Sequence, residues 1–306
     1  MKADAFSSYI GQEQAVRLLR FHVRAFRETG YWPPSLISSK RGNGKSFLSE
    51  LIGKELSKPR ITINASTIKN ADSFVEQIFI PLCSTPVTLH FDESHTISHA
   101  KSLEDLLLSA LSPNKTHINI VDYQGSQLVF DNRKISWIFS TTNVEEHGLA
   151  FRNRLKYIAL AEYKPIELGQ IFLSHVDGHR INNDIIKQVV SVARGTARNC
   201  VLLADDINNF CQVYRLTNFG EDEWLDFKKT MSVNVLGLNS DEISYLKLAS
   251  KHAQITLTGI ASAMEQDRKS VQRAIEPFLL KLGLITVQTG GRKITTKGLE
   301  ILKKME

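Results

Sequence analysis

Hydrophobic and polar positions follow two rhythms in this 306-residue chain, and the rhythm changes along it. In the first half, short apolar runs alternate with amphipathic stretches. Leu36-Ile37, Arg60-Ile61-Thr62-Ile63-Asn64, Val87-Thr88-Leu89-His90-Phe91 and Ile135-Ser136-Trp137-Ile138-Phe139 have the length and β-branched or aromatic content of strands. Between them, Val16, Leu19, Val23 and Phe26 form one helical stripe, and Phe47, Leu48, Leu51, Ile52 and Leu56 form another. Residues 71–80 and 103–111 are predicted helical. Residues 118–131 alternate in patches around Gly125, as in a β-hairpin. Strands alternating with helices predict an α/β fold with a parallel sheet between helices.

After Tyr163-Lys164-Pro165 the pattern becomes helical, over 166–175, 183–193 and 198–214. Residues 240–306 differ again. Three short helices (240–251, 257–265, 268–282) precede strand-like Leu284-Ile285-Thr286-Val287 and Lys293-Ile294-Thr295, which flank Thr289-Gly290-Gly291-Arg292. Three helices and a Gly-tipped hairpin predict a winged helix. The expected division is a core at 1–163, a helical domain at 164–235 and the winged helix at 236–306.

The chemistry gathers around Ser39-Lys40-Arg41-Gly42-Asn43-Gly44-Lys45-Ser46, which lies between a strand and a helix. Gly42 and Gly44 let the backbone approach a phosphate, with N–H groups pointing inward at a helix N-terminus. Lys45 would reach the β- and γ-phosphates, and the Ser46 hydroxyl would hold Mg²⁺. Ser39 stands where the full phosphate-loop signature has glycine. One strand–helix–strand unit later, an apolar strand ends in Asp92-Glu93. Asp92 there would hold Mg²⁺ through water, and Glu93 would polarise an attacking water. Ser140-Thr141-Thr142-Asn143 ends the next apolar strand and would sense a γ-phosphate or simply be solvated. Tyr9-Ile10 fits two readings, a hydrophobic staple for the first helix or an adenine pocket. Arg198 would sit in the first turn of a helix, where it opposes the dipole, so a bound anion accounts for it better than stability does.

Composition narrows the classes without choosing one. The formal charge is +6 and the pI about 9.1, which permits a nucleic-acid partner. From residue 286 to 304 five basic residues, Arg292 and Lys293 among them, face one acid, which suits a DNA backbone. No apolar run is long enough to span a bilayer, and no signal peptide is apparent. Cys83, Cys200 and Cys211 lack metal-type spacing and read as reduced buried thiols in a cytoplasmic protein.

The order of these features resembles one family. Phe6…Tyr9-Ile10-Gly11-Gln12, the Gly-Asn-Gly-Lys-Ser loop, Phe91-Asp92-Glu93-Ser94-His95 and Ser140-Thr141-Thr142 come first. Arg152-Asn153-Arg154, Arg194-Gly195-Thr196-Ala197-Arg198, Glu276-Pro277-Phe278-Leu279 and Thr289-Gly290-Gly291-Arg292 follow. Together they resemble the RuvB-type AAA+ motor of Holliday-junction branch migration. The resemblance implies an AAA+ core, a helical lid, a winged helix and an ATPase cycle with ATP and Mg²⁺. It places Lys2, Tyr9 and Ile10 around the base and ribose, and Gly42, Asn43, Gly44, Lys45, Ser46 and Phe47 on the phosphates and metal. It makes Thr142 sensor 1, Arg198 sensor 2, Arg154 an arginine finger acting in trans, Tyr163 a nucleotide contact at the hinge and Arg292 a DNA contact. It also implies a hexameric ring on duplex or four-way-junction DNA, and a RuvA-like partner docked on the hairpin near Gly125. Ser39, Val287 (for a second wing arginine) and Asn143 (for an arginine) depart from the family pattern. A loader of a replicative helicase or clamp, and a DNA-binding scaffold without efficient ATP turnover, are the alternative readings.

Overall fold

The computed structural model describes residues 4–305. Its strands are β1 (Ser35–Ser38), β2 (Arg60–Asn64), β3 (Val87–Asp92), β4 (Ile118–Tyr123), β5 (Ser126–Asp131), β6 (Ile135–Thr141) and β7 (Lys156–Ala159) in the first half. Five of them form one sheet in the order β2-β3-β6-β1-β7, and every pairing is parallel. β4 and β5 form a separate antiparallel hairpin. β3 and β6 are almost continuously buried because they are central and covered on both faces. Alternate residues serve the two faces. Ile37 and Ile138 pack with Leu48, Leu51 and Ile52, and with Val16, Leu19 and Val23 of α1 (Glu13–Thr29). Leu36, Trp137 and Phe139 pack on the other side with Phe74, Phe91, Leu103 and Leu107. This is the α/β layer the alternating pattern implied.

Helix ends follow local chemistry. α1 stops at Gly30 (φ 69°), whose N–H bonds the carbonyl of Phe26. α2 (Lys45–Glu55) starts from Gly44 in the left-handed region. Its buried face is Leu48, Leu51 and Ile52. Phe47, expected on that stripe, is exposed, because it lies about 100° around the helix from Leu48. The cap of α1 is Gln12 (φ 57°) with Gly11 before it. The staple reading of Tyr9-Ile10 therefore fails, since glycine occupies the position that would pack back onto the helix.

The chain divides into two compact units. One runs to Ile171 and takes in Thr196–Asn199, while the other comprises Phe172–Gly195 and the residues from Cys200 onward. In the second unit, helices Asn183–Val192, Ala197–Tyr214 (from Cys200) and Glu221–Thr230 surround Phe210, Phe219, Trp224 and Phe227. Two-residue strands β8 (Arg180–Ile181) and β9 (Asn218–Phe219) pair there in parallel. The chain then forms helices Ser240–Ser250 and Leu257–Ala263 and a helical stretch over 268–281. The hairpin β10 (Ile285–Gln288) and β11 (Gly291–Ile294) and helix Thr296–Lys303 complete it. Leu246, Ile260, Val271, Leu279, Leu284 and Ile285 share one core, which makes this a winged helix.

Candidate functional site

β1 leads straight into the loop at 39–44. Gly42 and Gly44 both have φ 83°, a conformation L side chains rarely adopt, so glycine is required at both. Ser39 is not among the left-handed residues, so serine fits there without strain. Its N–H donates to Thr141 O at 3.3 Å, which ties the loop to the end of β6.

Two tyrosines brace the loop from behind. The Tyr9 hydroxyl lies 3.3 Å from Gly44 O and 3.4 Å from Asn43 O, and the Tyr163 hydroxyl lies 3.5 Å from Asn43 O. A Cβ at Gly44 would sit 2.8 Å from the Tyr9 hydroxyl. Burial raises both tyrosine pKa values, so both hydroxyls stay neutral donors. The Tyr9 ring stacks on Phe47 at 5.8 Å. Beside Tyr9 a cavity of about 450 Å³ is lined by Phe6, Gly11, Val16, Lys164 and Glu167. Ile10 is half-buried and does not line it. Gln12, to which the sequence pattern assigns no role, donates to Ala161 O and accepts from Ala161 N–H, both at 2.8 Å. Lys2 lies outside the described residues.

Lys45 is buried, and its ammonium donates to the carbonyls of Ser39 (3.0 Å) and Lys40 (3.3 Å). Burial lowers its pKa, Glu93 and Asp92 oppose that shift, and Arg198 adds to it. These acids stand at the carboxyl end of β3. Only β6 separates β3 from β1, so the lysine and the acids share one edge of the sheet. Glu93 has φ 50°, a strained conformation for a non-glycine residue. The Thr142 hydroxyl donates to its carboxylate at 3.4 Å, and His95 Nδ1 lies 3.4 Å from the same oxygen. Ser46 is exposed at the start of α2.

Asp92 is held by a chain the sequence did not reveal. Ser140 Oγ donates to Asp92 Oδ1 at 2.7 Å, and His90 Nε2 lies 2.9 Å from Ser140 Oγ. The serine proton is committed to Asp92, so His90 Nε2–H must donate and Nδ1 must accept. Thr62 Oγ1 lies 3.4 Å from Nδ1. Burial drives the His90 pKa to about 4, with Asp92 opposing and Arg60 assisting, so the ring is neutral.

Thr196 and Arg198 close the loop from another side. Arg198 N–H donates to Gly42 O at 3.1 Å, and its side chain is exposed. Arg154 is held differently. Its Nε donates to Leu108 O at 2.9 Å and its Nη1 to Ala150 O at 2.8 Å.

The set fits a triphosphate with a hard cation. A cradle that only glycine can form, a buried lysine, and hydroxyl and carboxylate oxygens from Ser46 and Asp92 are the donors such a pair needs. Among the described residues no group of three or more His, Cys, Asp and Glu could hold a metal unaided. A cation here would need phosphate oxygens as further ligands.

In the winged helix, Arg292 is less free than a hairpin-tip arginine. Its Nε donates to Glu276 Oε1 at 2.7 Å and its Nη2 to Oε2 at 3.1 Å, and the side chain is 15% exposed. Tyr245 donates to the same carboxylate at 2.8 Å. Lys293 is exposed. Arg194 forms a second buried pair. Its guanidinium donates to both Glu242 oxygens, at 2.6 and 3.0 Å, and lies 3.8 Å over the Phe278 ring.

Residues 235–303 match the family profile described as the RuvB C-terminal winged helix domain. Nearly the whole chain is similar to RuvB. The Holliday junction branch migration complex subunit RuvB of Campylobacter hominis is 27% identical, over 99% of this chain and 90% of that protein. The subunit of the same name from a Nitratiruptor species is 26% identical, over 99% and 91%. A point mutant of Thermotoga maritima RuvB superposes with a TM-score of 0.77 at 21% identity, covering 99% of each chain. The structure titled Thermotoga maritima RuvB Holliday junction branch migration motor gives 0.75 at 21%, covering 99% and 98%. The structural likeness shows the fold: a parallel sheet between helices, and a winged helix at the C-terminus.

Proposed function

We propose that this chain is an ATP-dependent DNA motor that works as RuvB does, hydrolysing ATP in a hexameric ring to move duplex or four-way-junction DNA. One observation carries the reading. Lys45 on the glycine loop and the Asp92-Glu93 pair lie at the same edge of a parallel sheet, one strand apart and electrostatically coupled. In this reading the core is 1–163, the lid 164–235 and the winged helix 236–306. The curated relatives, whose names call them branch migration complex subunits, align along nearly all of this chain.

In this reading the residues take the following roles. The loop N–H groups and Lys45 bind and orient the phosphates. Ser46 and, through water, Asp92 would hold Mg²⁺, whose chemistry would be to offset negative charge on the phosphates. Glu93 polarises the attacking water while Thr142, at 3.4 Å from it, fixes the carboxylate. Tyr9 and Tyr163 keep the loop in its left-handed turns. Arg198 meets the γ-phosphate from the same chain, and Arg154 meets that of a neighbour. Lys293 and, in part, Arg292 face DNA. The hairpin β4–β5 receives a RuvA-like junction-binding protein. No described helix is long and apolar enough to cross a membrane.

The test is four-way-junction migration with ATP, with and without a junction-binding partner. Migration that requires ATP, is absent in Lys45→Ala and stalls with ATP bound in Glu93→Gln is expected. A stable complex with a replication protein and no strand movement would establish the loader reading instead. DNA binding with no phosphate release would establish the scaffold.

A further inference from the structure

The chain Thr62–His90–Ser140–Asp92 belongs to no role assigned so far. It lies beneath the site, on β2, β3 and β6, the three neighbouring strands at one end of the sheet. His90 and Ser140 are fully buried, and each spends its polar atoms on this chain. Ser140 Oγ has a single proton. It can donate to Asp92 Oδ1 only while its rotor is fixed, and the N–H of His90 fixes it from behind. The register puts His90 opposite Ile138 and Thr62, so the imidazole lies between its two partners within the sheet face.

We propose that His90 is a positioning residue for the metal-binding carboxylate: it locks the Ser140 hydroxyl so that Asp92 keeps one oxygen tied to the protein and presents the other to Mg²⁺. The inference rests on the nucleotide reading above and deepens it. Carboxylates that bind metal are commonly aimed by outer hydrogen bonds, and losing such a bond costs about 10–100-fold in metal affinity. An apolar residue at position 90 would pack in the same space. It would leave Ser140 free to rotate towards other acceptors, and Asp92 Oδ1 would be left with the Glu93 N–H, at 3.1 Å, as its remaining hydrogen bond among the described residues. The effect belongs to metal binding and not to the phosphate cradle: among the described residues Lys45, Gly42 and Gly44 make no hydrogen bond to this chain, and Lys45 feels Asp92 through its charge, which the substitutions at 90 and 140 leave in place.

The experiment uses the full-length protein and Mn²⁺ as a paramagnetic stand-in for Mg²⁺. Bound Mn²⁺ is followed by electron paramagnetic resonance in the presence of ADP. A fluorescent ADP analogue is titrated separately in excess chelator, so that nucleotide binding is read without metal. His90→Phe is expected to weaken Mn²⁺ by about 10-fold or more while metal-free nucleotide binding stays within about twofold. His90→Gln, which places an N–H near Nε2, is expected to restore most of the loss. Ser140→Ala should match His90→Phe, and the double variant should be no worse than either, since both break one chain. Ser140→Ala and His90→Gln keep the test decisive if the phenylalanine variant does not fold. Equal Mn²⁺ affinity in wild type, Ser140→Ala and His90→Gln, with His90→Phe also unchanged wherever it folds, would overturn the proposal. So would additive losses in the double variant. Failure of the underlying reading looks different, because wild type itself would then bind neither the ADP analogue nor Mn²⁺ with ADP.

Discussion

The backbone N–H of Arg198 donates to the carbonyl of Gly42 at 3.1 Å, so Arg198 and the glycine loop are joined through main chain. The Thr196 side chain fills the space beside the same glycine. A Cβ on Gly42 would lie 3.1 Å from Thr196 Cβ, and the residue would also be held at φ 83°. Gly42→Ala therefore carries two penalties, a left-handed conformation of about 1–2 kcal/mol and a forced shift of Thr196. We expect nucleotide affinity to fall by about 10-fold or more, read by titrating a fluorescent nucleotide. Wild-type affinity in this variant would show that the loop rearranges when it binds.

Arg154 makes a separate prediction because its guanidinium is held at Nε and Nη1 by two carbonyls of its own chain. That grip fixes the direction of the side chain and leaves Nη2 for another acceptor. If the acceptor is a phosphate bound by a neighbouring subunit, Arg154→Ala should lower turnover by a factor on the order of 10³ with nucleotide affinity nearly unchanged. Mixing it with wild type should reduce activity by more than its share of the mixture. A strictly proportional loss in ATPase assays would place each site within one chain.

Much of this was legible in the sequence, for physical reasons. Central strands of a parallel sheet are buried on both faces and so carry large apolar residues, here Val87, Leu89, Phe91, Ile135, Trp137, Ile138 and Phe139, which is why β3 and β6 stand out. Glycines at 42 and 44, both in the left-handed region, mark the loop between β1 and α2. β7 escaped because only Ile158 of its four residues is buried, and an edge strand needs little apolar content. Helix Glu221–Thr230 escaped for a like reason. Trp224 and Phe227 are its only buried anchors among many charges. Helix Thr296–Lys303, built around Ile301 and Leu302, also lies outside the sequence reading. Side-chain chains across strands are invisible to spacing altogether. His90 and Ser140 are 50 residues apart, yet they meet because β3 and β6 pair. Cys83 reads as buried from composition but is half-exposed, while Cys200 and Cys211 are buried and free, as expected.

The wing separates a structural arginine from a surface lysine. Arg292 neutralises buried Glu276, so Arg292→Ala leaves a buried carboxylate held only by Tyr245. Breaking a buried pair in this way typically costs about 3–5 kcal/mol. Arg292→Ala should therefore lower the Tm of the winged helix as well as DNA affinity. Lys293→Ala should leave Tm unchanged, weaken DNA binding regardless of sequence and reduce the salt slope of the binding constant by about 1. Calorimetry alongside DNA titrations at several salt concentrations checks both. An Arg292→Ala variant with unchanged Tm would return the arginine to a purely DNA-facing role.

His147 gives the pH dependence its sign. The ring is buried, stacked on Phe151 at 5.0 Å, with Nε2 at 3.0 Å from Ser94 Oγ. Burial lowers its pKa from 6.5 to about 4, with His95 and Arg152 adding to the shift and Glu146 opposing it. In the unfolded chain the ring takes up its proton near pH 6.5, whereas the folded chain resists until about 4. The unfolded state thus binds more protons inside that window. Stability is full above about pH 6.5 and declines as pH falls towards 4, by on the order of 3 kcal/mol from this ring. His90 is shifted in the same direction and adds its own share. His147→Gln keeps a hydrogen-bonding group near Ser94 and removes the titration. Chemical denaturation between pH 7 and 4 should then show a slope shallower by about one proton. An unchanged slope would mean that His147 is already protonated in the folded chain, and that its pairing with Ser94 is not the neutral one the geometry implies.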